Sequence, residues 1–277
     1  MKNLTKRILV ALWGIPLLLG LSYFGGYYFL FLILVINGVA LYEFYAMFRN
    51  KGIYASSTIG LIIGSLMVLS AFIQSSQFLI FLLMGGCVWI LLAHLRRQEG
   101  LISVNTAFTV LGVFYISFFL STLLILRLHF SEWVNGAAAQ IPYAGGRYLI
   151  MLLGTIWLCD TAAYSAGSKL GRRKLAPQIS PNKTVEGALA GFVTSLISFV
   201  ALGRIFLPEL SLAMALASGA IVGVFGQLGD LVESRFKRDA GVKDTSSILP
   251  GHGGLLDRFD SLIFVSPFLY TLLYFSR

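Results

Sequence analysis

Charge is scarce in this chain. Of 277 residues only 12% are Asp, Glu, Lys or Arg while 57% are hydrophobic, and ordinary soluble domains carry about twice that charged fraction. A water-facing surface cannot be built from so few charges. Disorder is excluded as well, because it needs low hydrophobicity together with high net charge. Cysteine is nearly absent: Cys87 and Cys159 lie far apart inside apolar stretches, so neither a disulfide framework nor a zinc motif can be read from them. Acidic residues number 12 against 21 Lys and Arg, a net charge of +9. A basic balance can mark nucleic-acid binding, but these cations sit in short loops between apolar runs. There they set membrane topology and meet anionic headgroups or phosphates.

What is present is long apolar runs. Nine have roughly the 17 to 25 residues that cross a hydrocarbon core as helix: 8–24, 27–48, 58–73, 77–95, 103–126, 149–166, 187–206, 212–232 and 259–275. The expected fold class is therefore all-α, a polytopic integral membrane protein with about nine transmembrane helices. The first run follows Lys2, Lys6 and Arg7, but a second span follows almost at once with no small-residue cleavage site, so it does not read as a secretory signal. If the N-terminus is cytoplasmic, alternate loops place 17 of the 21 Lys and Arg on that side and only Arg127, Arg147, Arg204 and Arg277 on the other. By the positive-inside rule the C-terminus then faces away from the cytoplasm.

Acidic residues divide the chain. Residues 1 to 125 hold only Glu43 and Glu99, whereas Asp160, Glu186, Asp230, Glu233, Asp239, Asp244, Asp257 and Asp260 fall between 160 and 260. We expect an N-terminal scaffold over 1–126 (about five spans) and a catalytic region over 147–277 (about four spans with cytoplasmic basic loops). Asp160 lies well inside an apolar run, where an ionised carboxylate costs roughly 2.5 to 3.5 kcal/mol and must face a cavity or a partner. Tyr164 shares its helical face. Ser180-Pro181 predicts a helix start, and free N–H groups there beside Lys183 and Thr184 would suit a phosphate.

Further on, Asp230 and Ser234 are four apart on one face, and Asp257 and Asp260 three apart. Like charges that close need a cation against them. Either Mg²⁺ fills that role, taking one or two carboxylates and completing its shell with water and phosphate, or Arg258, Arg235 or Lys237 neutralises them. The turn Pro250-Gly251-His252-Gly253-Gly254 can expose backbone N–H groups to an anion.

The stretch from Ser234 to Asp260 resembles the signature of the phosphatidate cytidylyltransferases, the CDP-diacylglycerol synthases: Ser, one spacer, an apolar residue, Lys237-Arg238, four spacers, Lys243-Asp244, then Pro250, one spacer, His252-Gly253-Gly254, and Asp257-Arg258-apolar-Asp260. Asp160-Thr161 with Tyr164, Ser180-Pro181 with Lys183-Thr184 and Glu186-Gly187, and Gln227 with Gly229-Asp230 are similar to family motifs too. Asn182 stands where many members have a second lysine. The resemblance implies conversion of CTP and phosphatidic acid to CDP-diacylglycerol and pyrophosphate. It implies Asp230, Lys237, Arg238, Asp257 and Asp260 as catalytic residues, with Mg²⁺ on Asp230, Ser234, Asp257 and Asp260 and a second, monovalent cation as an addition. Substrate contacts fall to Asp160, Tyr164, Lys183, Thr184, Glu186, Lys243, Asp244, His252, Gly253, Gly254 and Arg258. The partners so implied are CTP, phosphatidic acid, membrane lipid and a second copy of the chain, in a bacterial inner membrane with the active site cytoplasmic. Two rival classes share some of these features: a CTP-dependent lipid-alcohol kinase and an ion-coupled transporter.

Overall fold

The computed structural model describes residues 2–95, 99–134, 138, 140–249, 251 and 253–276, with side chains from residue 12 onward. Eleven α-helices dominate: α1 (Lys2–Phe24), α2 (Gly26–Met47), α3 (Ser57–Ile73), α4 (Ser76–Leu95), α5 (Ile102–Gly112), α6 (Phe119–Trp133), α7 (Ala144–Leu170), α8 (Val185–Phe206), α9 (Leu212–Ile221), α10 (Gln227–Ala240) and α11 (Leu256–Phe275). Two π-helical segments, Val113–Phe118 and Val222–Gly226, join α5 to α6 and α9 to α10 into single long rods. Each of the nine apolar runs coincides with one of these helices or joined rods, the second run passing the end of α2 by one residue, Phe48. This is the expected answer to lipid, which leaves backbone N–H and C=O groups no partner except within the helix.

Among the described residues six helical segments are long and apolar enough to cross a membrane: Gly26–Lys51, Ser76–Leu95, Ile102–Trp133, Ala144–Leu170, Val185–Phe206 and Leu212–Ala240. Ser57–Ile73 is a shorter apolar helix, Leu12–Phe24 is the part of the 23-residue α1 whose side chains are described, and α11 opens with Asp257, Arg258 and Asp260, which lower its apolar length. Among the described residues the nine apolar runs thus correspond to nine helical rods, six of which have spanning length and composition. On α4, Phe81, Met84, Trp89 and Leu95 are exposed, an apolar surface that suits lipid.

The chain forms two compact units. One comprises Met1–Leu21, Gly26–Ile125 and Lys237–Phe259; the other Ser22–Gly25, Leu126–Phe236 and Asp260–Arg277. The segment Lys237–Phe259 therefore groups with the N-terminal helices. In the first unit Ile59, Ile63, Met67, Leu82, Ile90 and Val113 make a buried cluster, and Phe44 stacks on Phe108 while Phe48 meets both rings edge-on. In the second, Tyr148 of α7 packs against Phe130 of α6 and Phe199 of α8, and its hydroxyl lies 2.7 Å from the Ser218 hydroxyl. Arg127 donates from Nε to the Ser22 carbonyl at 3.0 Å and from Nη2 to that of Tyr23 at 2.7 Å, closing the C-terminal end of α1 where carbonyls lack helical partners. Arg147 similarly donates to the Phe206 carbonyl at the end of α8. Both arginines, read from sequence as topology charges, also cap helices.

Candidate active site

In the second unit, small residues let α7 and α8 approach closely. A Cβ on Gly187 would meet the Ala163 carbonyl at 2.6 Å and the Gly167 Cα at 3.0 Å. Between the helices runs a two-stranded antiparallel hairpin, β1 (Lys174–Ala176) and β2 (Ser180–Thr184), with Lys174 opposite Thr184. The helix start expected at Ser180-Pro181 is corrected here. Ser180 and Pro181 are strand residues, and α8 begins at Val185 with Thr184 as its N-cap, its hydroxyl accepting from the Gly187 N–H at 3.1 Å. Thr184 can cap a helix as Ser180 can, and hairpin pairing, which takes Ser180 into β2, leaves the cap to Thr184. Glu186 sits in the first turn of α8, where its carboxylate accepts the N–H groups of Arg172 (3.0 Å) and Arg173 (3.2 Å). It fastens the loop that leads into β1.

From β2, Lys183 reaches the Oδ2 of Asp230 on α10 at 2.6 Å, and the Ser234 hydroxyl donates to Oδ1 at 3.2 Å. Their side chains are 28% (Lys183) and 37% (Asp230) exposed, so the pair is open to solutes. Gly229 brings α10 against α11: a Cβ there would meet the Asp260 carbonyl at 3.0 Å and the Phe264 Cβ at 2.5 Å. Asp260 is buried, and its Oδ1 accepts the Ser261 N–H. Asp160 and Tyr164 lie on an exposed face of α7.

In the first unit, α10 ends in a glycine cap. Gly241, at φ +76°, donates to the Arg238 carbonyl, and the Val242 N–H to that of Lys237. The loop that follows is organised by two carboxylates. Asp257 accepts Lys237 Nζ at Oδ1 (2.7 Å), while its Oδ2 accepts the Thr245 N–H (3.0 Å), the Thr245 hydroxyl (3.1 Å) and the Gly254 N–H (2.8 Å). Glu43 of α2, fully buried, accepts the Ser246 hydroxyl (2.5 Å) and Leu255 N–H (2.9 Å) at Oε1, and the Thr245 hydroxyl (3.1 Å) and Leu256 N–H (2.7 Å) at Oε2. Hydrogen bonds to an ionised group are worth about 1.5–3 kcal/mol each. Gly253, at φ +81°, and Gly254 leave no room for a side chain: a Cβ would meet Asp257 Oδ2 at 2.9 Å in one case, and the Glu43 oxygens at 2.7 and 2.8 Å in the other. Lys243, Asp244, Arg238 and Arg258 are exposed. His252 and Pro250 lie outside the described residues.

The structure thus brings Lys183, Asp230 and Ser234 together in one unit and Lys237, Asp257 and Gly254 in the other; α10 and α11 each run through both. Two expectations shift. The glycine-rich turn was read as an anion cradle for substrate, yet the Gly254 N–H is taken by Asp257, and the anion seated on the turn is the protein's own carboxylate. Residues 1 to 125 were read as scaffold, yet Glu43 holds that turn. Its signal was a lone carboxylate within an apolar run; its partners lie about 200 positions away in sequence.

Among the described residues no three His, Cys, Asp or Glu side chains cluster as a metal cage. Mg²⁺ does not require one, since it keeps several waters and takes one or two carboxylates plus substrate phosphates. Asp230 fits that pattern as the most exposed of the three aspartates. Asp257, at 5% side-chain exposure with Lys237, Thr245 and Gly254 donating to its oxygens, is better suited to holding the loop.

Apolar helices of spanning length define an integral membrane protein, and comparison sharpens that class to nucleotidyltransferase. A family described as the cytidylyltransferase family matches residues 5–276. A Bacillus subtilis phosphatidate cytidylyltransferase is 37% identical over 99% of this chain and 98% of its own length, and one from Synechocystis is 35% identical over 96% and 95%. A Staphylococcus haemolyticus protein of the same name reaches 50% over 47% of this chain and 50% of its own. The chain belongs to the cytidylyltransferase family.

Proposed function

We propose that this chain is a phosphatidate cytidylyltransferase that makes CDP-diacylglycerol and pyrophosphate from CTP and phosphatidate. The observation that carries the reading is the near end-to-end match, in both directions, to relatives bearing that name. A phosphate oxygen of phosphatidate attacks the α-phosphorus of CTP, the bond from that phosphorus to the β-phosphate bridging oxygen breaks, and pyrophosphate leaves with the electron pair. The nucleophile is a phosphate monoester whose second pKa is near 6, so it is largely dianionic at neutral pH without a general base. The chain's task is to hold two polyanions together and neutralise the charge developing on the leaving group.

In this reading Lys183, partly open to solution beside Asp230, meets the CTP phosphates; phosphate contacts by Arg238, Lys243 and Arg258 follow from the family resemblance. Lys237 and Asp257 fix each other and the turn. Asp230, with Ser234 and Asp260 on neighbouring turns of α10 and α11, would hold Mg²⁺, which supplies further neutralisation of the triphosphate. Asp160 and Tyr164 contact substrate from α7. The positive-inside count supports a cytoplasmic active site and N-terminus, and bacterial relatives support the cytoplasmic membrane. A homodimer and a second, monovalent cation follow from the resemblance alone. Pyrophosphate release by the purified protein that requires both CTP and phosphatidate tests the proposal; release without phosphatidate, or none at all, counts against it.

A further inference from the structure

Glu43 lies in the apolar helix α2 and is completely buried. A carboxylate in such a place is costly unless its oxygens are filled. Both are, by two hydroxyls and by the main-chain N–H groups of Leu255 and Leu256. None of these four donors is charged. The two N–H groups open α11, where unpartnered donors and the helix dipole favour an anion. A helix start after a glycine-rich turn is the kind of place that holds phosphate in other proteins; here it is filled from within. Thr245 links this carboxylate to the next, its single hydroxyl lying 3.1 Å from both Glu43 Oε2 and Asp257 Oδ2. Asp257 in turn holds Lys237.

We infer that Glu43 is a positioning residue for cytidylyl transfer: a built-in anion that ties Thr245 and Ser246 to Leu255 and Leu256 and, through Thr245, sets the Asp257–Lys237 pair. The inference rests on the proposed function, and Glu43 acts without touching substrate. Gln at position 43 keeps the volume but turns an NH₂ group toward donors. Asp keeps the charge on a shorter stem.

The test uses the full chain, purified in one detergent or lipid preparation, with kcat and KM measured for both substrates. Amide hydrogen exchange at Leu255 and Leu256 is read on the same samples. For Glu43→Gln, kcat falls about 10- to 100-fold, as expected for losing one or two charge-assisted hydrogen bonds, while KM for CTP stays within about threefold. Glu43→Asp recovers part of the rate, and exchange at the two amides speeds up in the Gln variant. A folded Gln variant with wild-type kcat, or one no slower than Asp, overturns the inference. If Glu43→Gln does not fold, Ser246→Ala decides, since it removes one donor from the loop side. A severalfold fall in kcat with faster exchange at Leu255 supports the role, and an unchanged kcat refutes it. Wild-type protein that fails to turn over in the same assay strikes the proposed function instead, an outcome visible before any variant is compared.

Discussion

Replacing Lys183 by alanine separates a structural ion pair from a catalytic charge. Its Nζ lies 2.6 Å from Asp230 Oδ2, with side chains 28% and 37% exposed. Pairs this open contribute about 0.2–1 kcal/mol to stability, so the variant should fold and insert almost as wild type. A point charge set against a triphosphate is a different matter. Loss of one electrostatic donor of this kind lowers kcat/KM by about 10² or more, roughly 2.7 kcal/mol of barrier. The catalytic deficit should therefore exceed the structural one severalfold. Lys174→Ala is the comparison: Lys174 is exposed on β1 and faces Thr184 through the main chain, so its loss should change kcat/KM for CTP by less than about threefold, roughly 0.6 kcal/mol. Both variants are assayed in one preparation, with the folded fraction measured by size-exclusion chromatography. Equal losses for the two lysines, or a Lys183 loss that only tracks folded protein, would refute the reasoning and leave the loop as a diffuse basic surface.

Other expectations follow from the same geometry. EDTA should abolish turnover and added Mg²⁺ restore it, and Asp230→Asn should remove activity while leaving the folded yield near wild type; turnover that persists in EDTA rules out the metal. Asp257→Asn should behave differently, losing both activity and stability, because the Asp257 carboxylate, 5% exposed, accepts from Lys237, Thr245 and Gly254, and removing one partner of a buried pair costs about 3–5 kcal/mol. A thermal midpoint equal to that of Asp230→Asn would contradict this. For topology, in a Cys87→Ser background, a cysteine at Lys174 should label only from the cytoplasmic side and one at Glu209 only from the other. Labelling of both from one side would overturn the orientation.

The helices were legible because lipid admits so few solutions: each apolar run had to become a helix, and each did. The π-helical segments at Val113–Phe118 and Val222–Gly226 left no trace in hydropathy, since their residues are as apolar as their neighbours. Around residue 180 the local signal Ser180-Pro181 pointed to a helix start, and it was overridden by pairing of Lys174 with Thr184, which lies beyond any local pattern. Lys183, Asp230 and Asp257 could be singled out by charge in an apolar chain. Their partners could not: that Asp257 is saturated by Lys237, Thr245 and Gly254 depends on how the turn closes. Glu43 carried the same charge signal as Asp160, but its partners come from the other end of the chain, and composition made its surroundings look inert.

The central claim, transfer of the cytidylyl group to phosphatidate, is tested most directly by following two labels of CTP with the purified protein and phosphatidate. The α-phosphate label is predicted to enter the lipid while the γ-phosphate label leaves as pyrophosphate. Appearance of the γ-label in lipid with release of CDP would contradict the account and make this protein a lipid kinase.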